Sequence, residues 1–212
     1  MTIGTTKTFT VRCSAETEAK ALARVEAEIE RSGHGAKFKV TGRTATVAEN
    51  KLIRSVEVEA PIAASVAVGD GVGYVGNMDR AVMAFDLDTG EVVWNYRSKN
   101  FPYFSSPALT AKQVLIGGRD KGLHCINRVS GKSEWRFAAR GRIDSSPVVA
   151  GDKVVFGSMD GKLYLISLED GTEIVSYEVG EAISSTPALA SGRIFVGCED
   201  GKIYAFSTAD KK

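Results

Sequence analysis

The stretch AFDLDTGEVVW, residues 84–94, decides the fold because its pattern recurs along the chain. Two strand-like runs flank an Asp-Thr-Gly turn, and Trp94 follows Gly90 by four residues. Trp135 comes 41 residues after Trp94, and Gly131 comes 41 residues after Gly90. A hairpin that returns at a fixed distance is one part of a repeat unit.

Other residues keep the same spacing of 40 or 41 positions. They are the aspartates and prolines Asp79, Asp120, Asp160, Asp200, Pro107, Pro147 and Pro187. Within each unit, four short runs rich in Val, Ile, Leu, Tyr or Phe are separated by glycine-containing turns. Four antiparallel strands in about 40 residues leave no room for a helix. The sequence therefore predicts a mainly β fold, a β-propeller of about four four-stranded blades.

The two tryptophans are interpreted as packing residues. Trp94 and Trp135 are large enough to fill the space between adjacent blades, where each would bury roughly 150–250 Å². Asp86, Gly90 and Gly131 are assigned to the hairpin turns that precede these tryptophans, because aspartate and glycine suit a tight turn.

The repeat also predicts the domain boundaries. Residues 49–212 are assigned to the propeller, and residues 1–48 to a small N-terminal β-α-β-β segment whose role is left open. Three blades are complete, but residues 183–208 supply only three strands of a fourth.

Two architectures remain open. Residues 51–59 read as an outermost strand that could complete the last blade and close a compact ring. Alternatively, residues 36–60 form a partial blade of their own and the propeller is an open arc, which could form a homodimer.

Composition restricts the function. The net charge of +1 gives no general attraction to nucleic acid. Only two histidines and three widely spaced cysteines are present, so the sequence offers no His-based catalytic set and no paired metal-ligand motif. No apolar run is long enough to span a membrane, and the first residues do not resemble a signal peptide. As written the chain is expected in the cytoplasm, or outside it if it is a fragment of an exported protein.

Positions that break the repeat are candidates for binding. Blade 2 carries an aromatic cluster just before its innermost strand, and charged residues occupy nearby positions in blade 3. Aromatic and arginine side chains on a propeller rim suit a protein or peptide partner. The candidate interaction patch consists of Phe101, Tyr103, Phe104, Arg140, Arg142 and Asp144. The alternative is that the aromatic residues fill a gap between blades.

The stretch at 84–94 fits A-x-D-x-x-T-G-x-x-x-W, and residues 125–135, CINRVSGKSEW, fit it more weakly. These motifs resemble the tryptophan-docking motif of the quinoprotein-like (pyrroloquinoline-quinone repeat) propeller superfamily, and the resemblance covers about residues 50–212. It implies a structural docking role for Trp94, Trp135, Asp86, Gly90 and Gly131. That superfamily includes quinone-dependent alcohol dehydrogenases and non-enzymatic propellers such as the barrel-assembly lipoprotein of the outer membrane.

The resemblance implies a propeller fold but does not imply a bound quinone or an enzymatic reaction. This chain is much shorter than the quinone enzymes and lacks their adjacent cysteine pair. We therefore expect no cofactor, no enzymatic activity, and a role as a protein-interaction or scaffold module. The alternative is a cofactor-binding or quinone-dependent oxidoreductase-type propeller, or a fragment of one, that uses the axial funnel.

Overall fold

The computed structural model describes residues 55–58 and 60–207. The chain divides into two compact units, residues 1–53 and 54–212, and every described residue belongs to the second. The N-terminal β-α-β-β segment predicted at residues 1–48 lies outside the described residues.

The described residues form four antiparallel sheets, which follow one another along the chain as blades. Blade 1 contains β1 (Ala67–Gly69), β2 (Val72–Gly76), β3 (Val82–Asp86) and β4 (Val92–Tyr96). Blade 2 contains β5 (Ala108–Leu109), β6 (Gln113–Gly117), β7 (Gly122–Asn127) and β8 (Ser133–Ala138). Blade 3 contains β9 (Val148–Ala150), β10 (Lys153–Gly157), β11 (Lys162–Ser167) and β12 (Glu173–Glu178). Blade 4 contains β13 (Ala188–Ala190), β14 (Arg193–Gly197) and β15 (Ile203–Ser207).

Each blade is a simple meander because short turns join consecutive strands. In the β3–β4 turn, Asp86 Oδ1 accepts hydrogen bonds from the backbone N–H groups of Asp88 and Thr89, at 2.9 and 2.7 Å. Gly90 then adopts a φ of 79°, which glycine tolerates better than other residues. The sequence prediction of a repeated four-stranded blade is thus confirmed, and the described residues contain no helix.

Apolar side chains from facing blades interlock to form the core. One core lies between blades 1 and 2, a second between blades 2 and 3, and a third between blades 3 and 4. Because strand side chains alternate, Val114 and Ile116 of β6 face blade 1 while Leu115 faces blade 3. Every complete blade therefore buries both of its faces.

Serine side chains link the segments that lead into the innermost strands. Ser106 N donates to Ser146 Oγ at 2.9 Å, which connects blade 2 to blade 3. Ser105 Oγ and Ser145 Oγ accept from Gly117 N and Gly157 N, at 3.0 and 3.1 Å, inside their own blades. Small hydroxyl side chains at these positions let neighbouring backbones approach closely.

The two ends of this row of blades differ. Residues 55–58 are irregular rather than part of a strand, and Val56 and Val58 pack against the outer face of blade 1. At the other end, no fourth strand pairs with β15 among the described residues, and Ile203 of that strand is 80% exposed. The described residues therefore form an open arrangement of blades. Of the strand predicted over 51–59, only residues 55–58 are described, and they do not complete blade 4, because they lie over blade 1 instead of pairing along β15. The remaining residues of that prediction lie outside the described residues.

Candidate interaction rim

The segment that leads into blade 2 lies between the β2–β3 turn of blade 1 and the β6–β7 turn of its own blade. Tyr103 N donates to Asn77 O of the first turn at 3.1 Å. Arg119 N of the second turn donates to Pro102 O at 3.3 Å. These backbone hydrogen bonds fix the position of the predicted aromatic cluster on one rim.

Tyr103 lies in the core and not on the surface, since its side chain is only 2% exposed. Its ring meets His124 edge-on, with the centroids 5.6 Å apart. Burial raises the pKa of the Tyr103 hydroxyl. Ile143 and Ile183, forty residues apart, occupy the corresponding places in the next two cores. Tyr103 thus fills the space between blades, which is the alternative interpretation of the aromatic cluster.

Phe104 belongs to a chain of contacts that joins blade 2 to blade 3. The Arg119 Cζ atom lies 3.6 Å from the centroid of the Phe104 ring. Arg119 also donates two hydrogen bonds to the Asp144 carboxylate, from Nε and from an Nη atom, both at 2.9 Å. Arg142 Nε lies 3.3 Å from the same carboxylate. Bidentate arginine pairing and stacking on an aromatic face both give this cluster a defined geometry.

The two remaining residues of the predicted patch are exposed. Phe101 is 48% exposed, and Arg140 uses its backbone N–H to donate to Asp160 Oδ2 at 2.9 Å. Of the six predicted residues, the structure joins Phe104, Arg142 and Asp144.

Sequence reasoning missed Arg119, which connects these three residues. The signal was available, because the corresponding turn position carries a different residue type in the other blades. Those residues are Met78, Met159 and Glu199.

The repeated turn aspartates are engaged within the fold. Asp120 Oδ1 accepts from Gly122 N at 3.1 Å and lies 3.0 Å from His124 Nε2, and Arg136 lies 3.0 Å from Oδ2. Burial alone would raise the Asp120 pKa, but the histidine and arginine outweigh it and lower the pKa to about 2. Tyr164 and Tyr204 donate to the corresponding aspartates of blades 3 and 4, at 2.9 and 2.7 Å.

Each of the two tryptophans lies between its own blade and the next. Trp94 Nε1 donates to Arg128 O at 3.0 Å, and Trp135 Nε1 donates to Leu168 O at 3.1 Å. The glycine of the next hairpin lies beside each indole. A methyl group added at Gly131 would come within 2.7 Å of Trp94, and one added at Gly171 within 2.5 Å of Trp135.

Residues 55–58 and 60–207 contain no group of three or more His, Cys, Asp or Glu side chains that could hold a metal ion. In the same part of the chain there is also no helix long and apolar enough to cross a membrane.

Comparison with known proteins identifies the type of propeller. A family model described as outer membrane protein assembly factor BamB matches residues 38–117 and 119–212. Among solved structures, the computationally designed Ika4 protein matches with a TM-score of 0.67 and 15% identity, over 75% of this chain and 99% of that one. BamB from Moraxella catarrhalis matches with a TM-score of 0.63 and 18% identity, over 71% of this chain. The match spans 48% of that BamB chain, so this protein corresponds to about half of its length. No curated protein sequence matches the chain.

Proposed function

The chain belongs to the family of the outer membrane protein assembly factor BamB, and we propose that it is a non-enzymatic propeller that serves as a protein-interaction or scaffold module. The observation that carries the proposal is the rim cluster of Phe104, Arg119, Asp144 and Arg142. It joins two blades through charged and aromatic groups that remain partly open to solvent.

The composition of this rim suits a protein partner. Arginine and aromatic residues are enriched in protein interfaces, where they supply large contact areas and directional hydrogen bonds. Phe101 is nearly half exposed close by in sequence, and Arg142 is also about half exposed. Because the pairing with Asp144 limits the motion of Arg119, that side chain loses less entropy when a partner binds.

The remaining polar groups of the repeat support a structural role. Asp120, Asp160 and Asp200 accept hydrogen bonds from their own turns, and His124 is fully buried. Because these polar groups already form hydrogen bonds with one another inside the blades, they stabilise the fold and are not available to a partner. The rim cluster remains for partner contacts.

The open face of blade 4 supports a further part of the proposal, which is self-association. Ile203 is exposed, whereas Val82, Leu123 and Leu163 are buried at the corresponding positions of the other blades. The equivalent apolar sheet face is buried against the next blade in blades 1, 2 and 3, but it is exposed in blade 4. An exposed apolar face of this kind suits contact with a second copy of the chain.

Site-specific photo-cross-linking tests the interaction role. A photoreactive amino acid is placed at Phe101, and in a second variant at Val129, which is 84% exposed in the β7–β8 turn. We expect a discrete cross-linked protein from position 101 that is lost when Phe104 and Arg142 are replaced by Ser. Identical products from both positions, or none from position 101, would contradict the proposal.

A further inference from the structure

A largely apolar groove of about 350 Å³ lies between blades 3 and 4. Its size falls at the lower end of the range for ligand sites in proteins. The groove is formed by side chains of both blades, among them Val155, Leu165, Tyr177, Leu189, Ile194 and Phe206.

The strand register explains why this junction contains open space. Trp94 pairs with Ala84 across β3 and β4, and Trp135 pairs with Cys125 across β7 and β8. Val175 pairs with Leu165 in the same way, and in all three blades a β-bulge follows this pair. The third junction therefore has valine at the position from which an indole projects in the first two.

Two residues that line the groove occupy strand positions that also flank the docked indoles. Val155 occupies the position of Tyr74, whose ring centroid lies 5.8 Å from that of Trp94. Leu165, the cross-strand partner of Val175, also lines the groove. On its strand side the groove thus has walls from the same positions that flank an indole elsewhere, without the tryptophan. The hairpin residues whose carbonyl groups accept from the two indoles, Arg128 and Leu168, correspond to position 208, outside the described residues.

The groove has positive charge at its polar lining. Lys153 and Arg193 are among its lining residues, which include no Asp or Glu. Lys153 pairs with Asp152, but no carboxylate among the described residues pairs with Arg193. Charge complementarity therefore favours an occupant that carries carboxylates next to its aromatic group.

We propose that this groove binds a tryptophan side chain from an acidic peptide segment of a partner protein. The indole lies against Val155 and Leu165, the strand positions that flank Trp94 and Trp135 at the first two junctions, and flanking carboxylates pair with Arg193. This inference rests on the proposed interaction function and specifies one kind of partner segment. A buried tryptophan is a common anchor in protein interfaces because it gains a large contact area with few rotatable bonds.

Binding of a labelled peptide tests the inference. The probe is a short peptide with one tryptophan between aspartates, and its binding to the 212-residue chain is measured by fluorescence anisotropy. We expect saturable binding that weakens with added salt, and no binding by the same peptide with alanine in place of tryptophan. Absence of saturable binding to the wild-type chain would overturn the proposal.

A matched pair of variants locates the site. Val175→Trp should fill the groove from within and weaken the peptide at least about tenfold. Val129→Trp adds the same indole in the β7–β8 turn, at an exposed position that does not line the groove, and should leave binding unchanged. Equal binding by Val175→Trp and wild type would overturn the proposal. If Val175→Trp fails to fold, Leu189→Glu serves instead, since this partly exposed position lines the groove and the new charge repels the peptide.

Two other possible occupants of the groove, a free aromatic molecule and a second copy of the chain, would give different experimental results. If N-acetyltryptophanamide binds as tightly as the peptide, the site accepts a free aromatic molecule and the peptide proposal is wrong. If Val175→Trp changes the oligomeric state and not peptide binding, the groove is covered by a second copy, which also overturns the proposal. Cross-linking from position 101 tests the rim independently of the groove. If the groove does not bind the peptide, the proposed interaction function is still tested by that cross-linking experiment.

Discussion

Trp94 lies against Gly131, with the indole of one blade resting on the hairpin turn of the next. Two separate features demand glycine at position 131. Its φ of 68° strains any other residue, and a β-carbon would come within 2.7 Å of the indole. One residue therefore serves both the turn within its blade and the contact between blades.

Gly131→Ala should lower the free energy of unfolding by about 2–4 kcal/mol, because the overpacking adds to the backbone strain. Gly151→Ala is the matched control. Gly151 has a similar φ of 64°, but apart from its two chain neighbours no residue has an atom within 4 Å of the added methyl group. The control should lower the free energy of unfolding by about 1–2 kcal/mol, because only the backbone strain acts there. Urea unfolding measures both, and equal losses would show that the indole contact contributes nothing.

Replacing the aromatic residues of the rim by serine should lower the free energy of unfolding much more at the buried Tyr103 than at the exposed Phe101. Tyr103→Ser removes a fully buried ring and should cost about 3–5 kcal/mol of unfolding free energy. Phe101→Ser should lower it by only about 1 kcal/mol or less, because about half of that side chain is already exposed to solvent. Thermal and urea unfolding of the two variants provide the measurement. A small effect at Tyr103 would contradict its place in the core.

The sequence predicts the blades well because the pattern is carried by local chemistry. Glycine and aspartate mark the turns, and β-branched or aromatic runs mark the strands between them, so the period of about 40 residues determines where each strand lies. Whether a side chain points inward depends on the path of the backbone. Tyr103 and Phe104 are neighbours in one segment, yet only Tyr103 enters the core. The role of Arg119 likewise depends on a contact with Asp144, 25 residues away, which no single repeat contains. The replacement of tryptophan by Val175 is visible in the sequence, but the groove beside it is not.

Acid should destabilise the protein through Asp120. Its pKa is about 2 in the folded chain against an ordinary value of 3.8, so the carboxylate contributes stability above about pH 4. That contribution is lost as the pH falls through the folded value. Asp120→Asn should therefore unfold more easily at neutral pH and show a smaller loss of stability between about pH 4 and pH 2. Urea unfolding over this pH range, with exposed Asp88→Asn as control, gives the comparison. Parallel pH profiles for wild type and Asp120→Asn would contradict the assignment.

The open face of blade 4 leads to a prediction about self-association. Ile203 is 80% exposed at a position where Val82 and Leu123 are fully buried between blades, so burying it against a second copy would remove apolar area from water. We expect wild type to dimerise with rising concentration and Ile203→Lys to stay a monomer of 22.6 kDa. Val129→Lys, which places the same charge at an exposed turn position, should dimerise like wild type. Light scattering across a concentration series measures all three, and a wild-type chain that stays monomeric throughout would rule out association through this face.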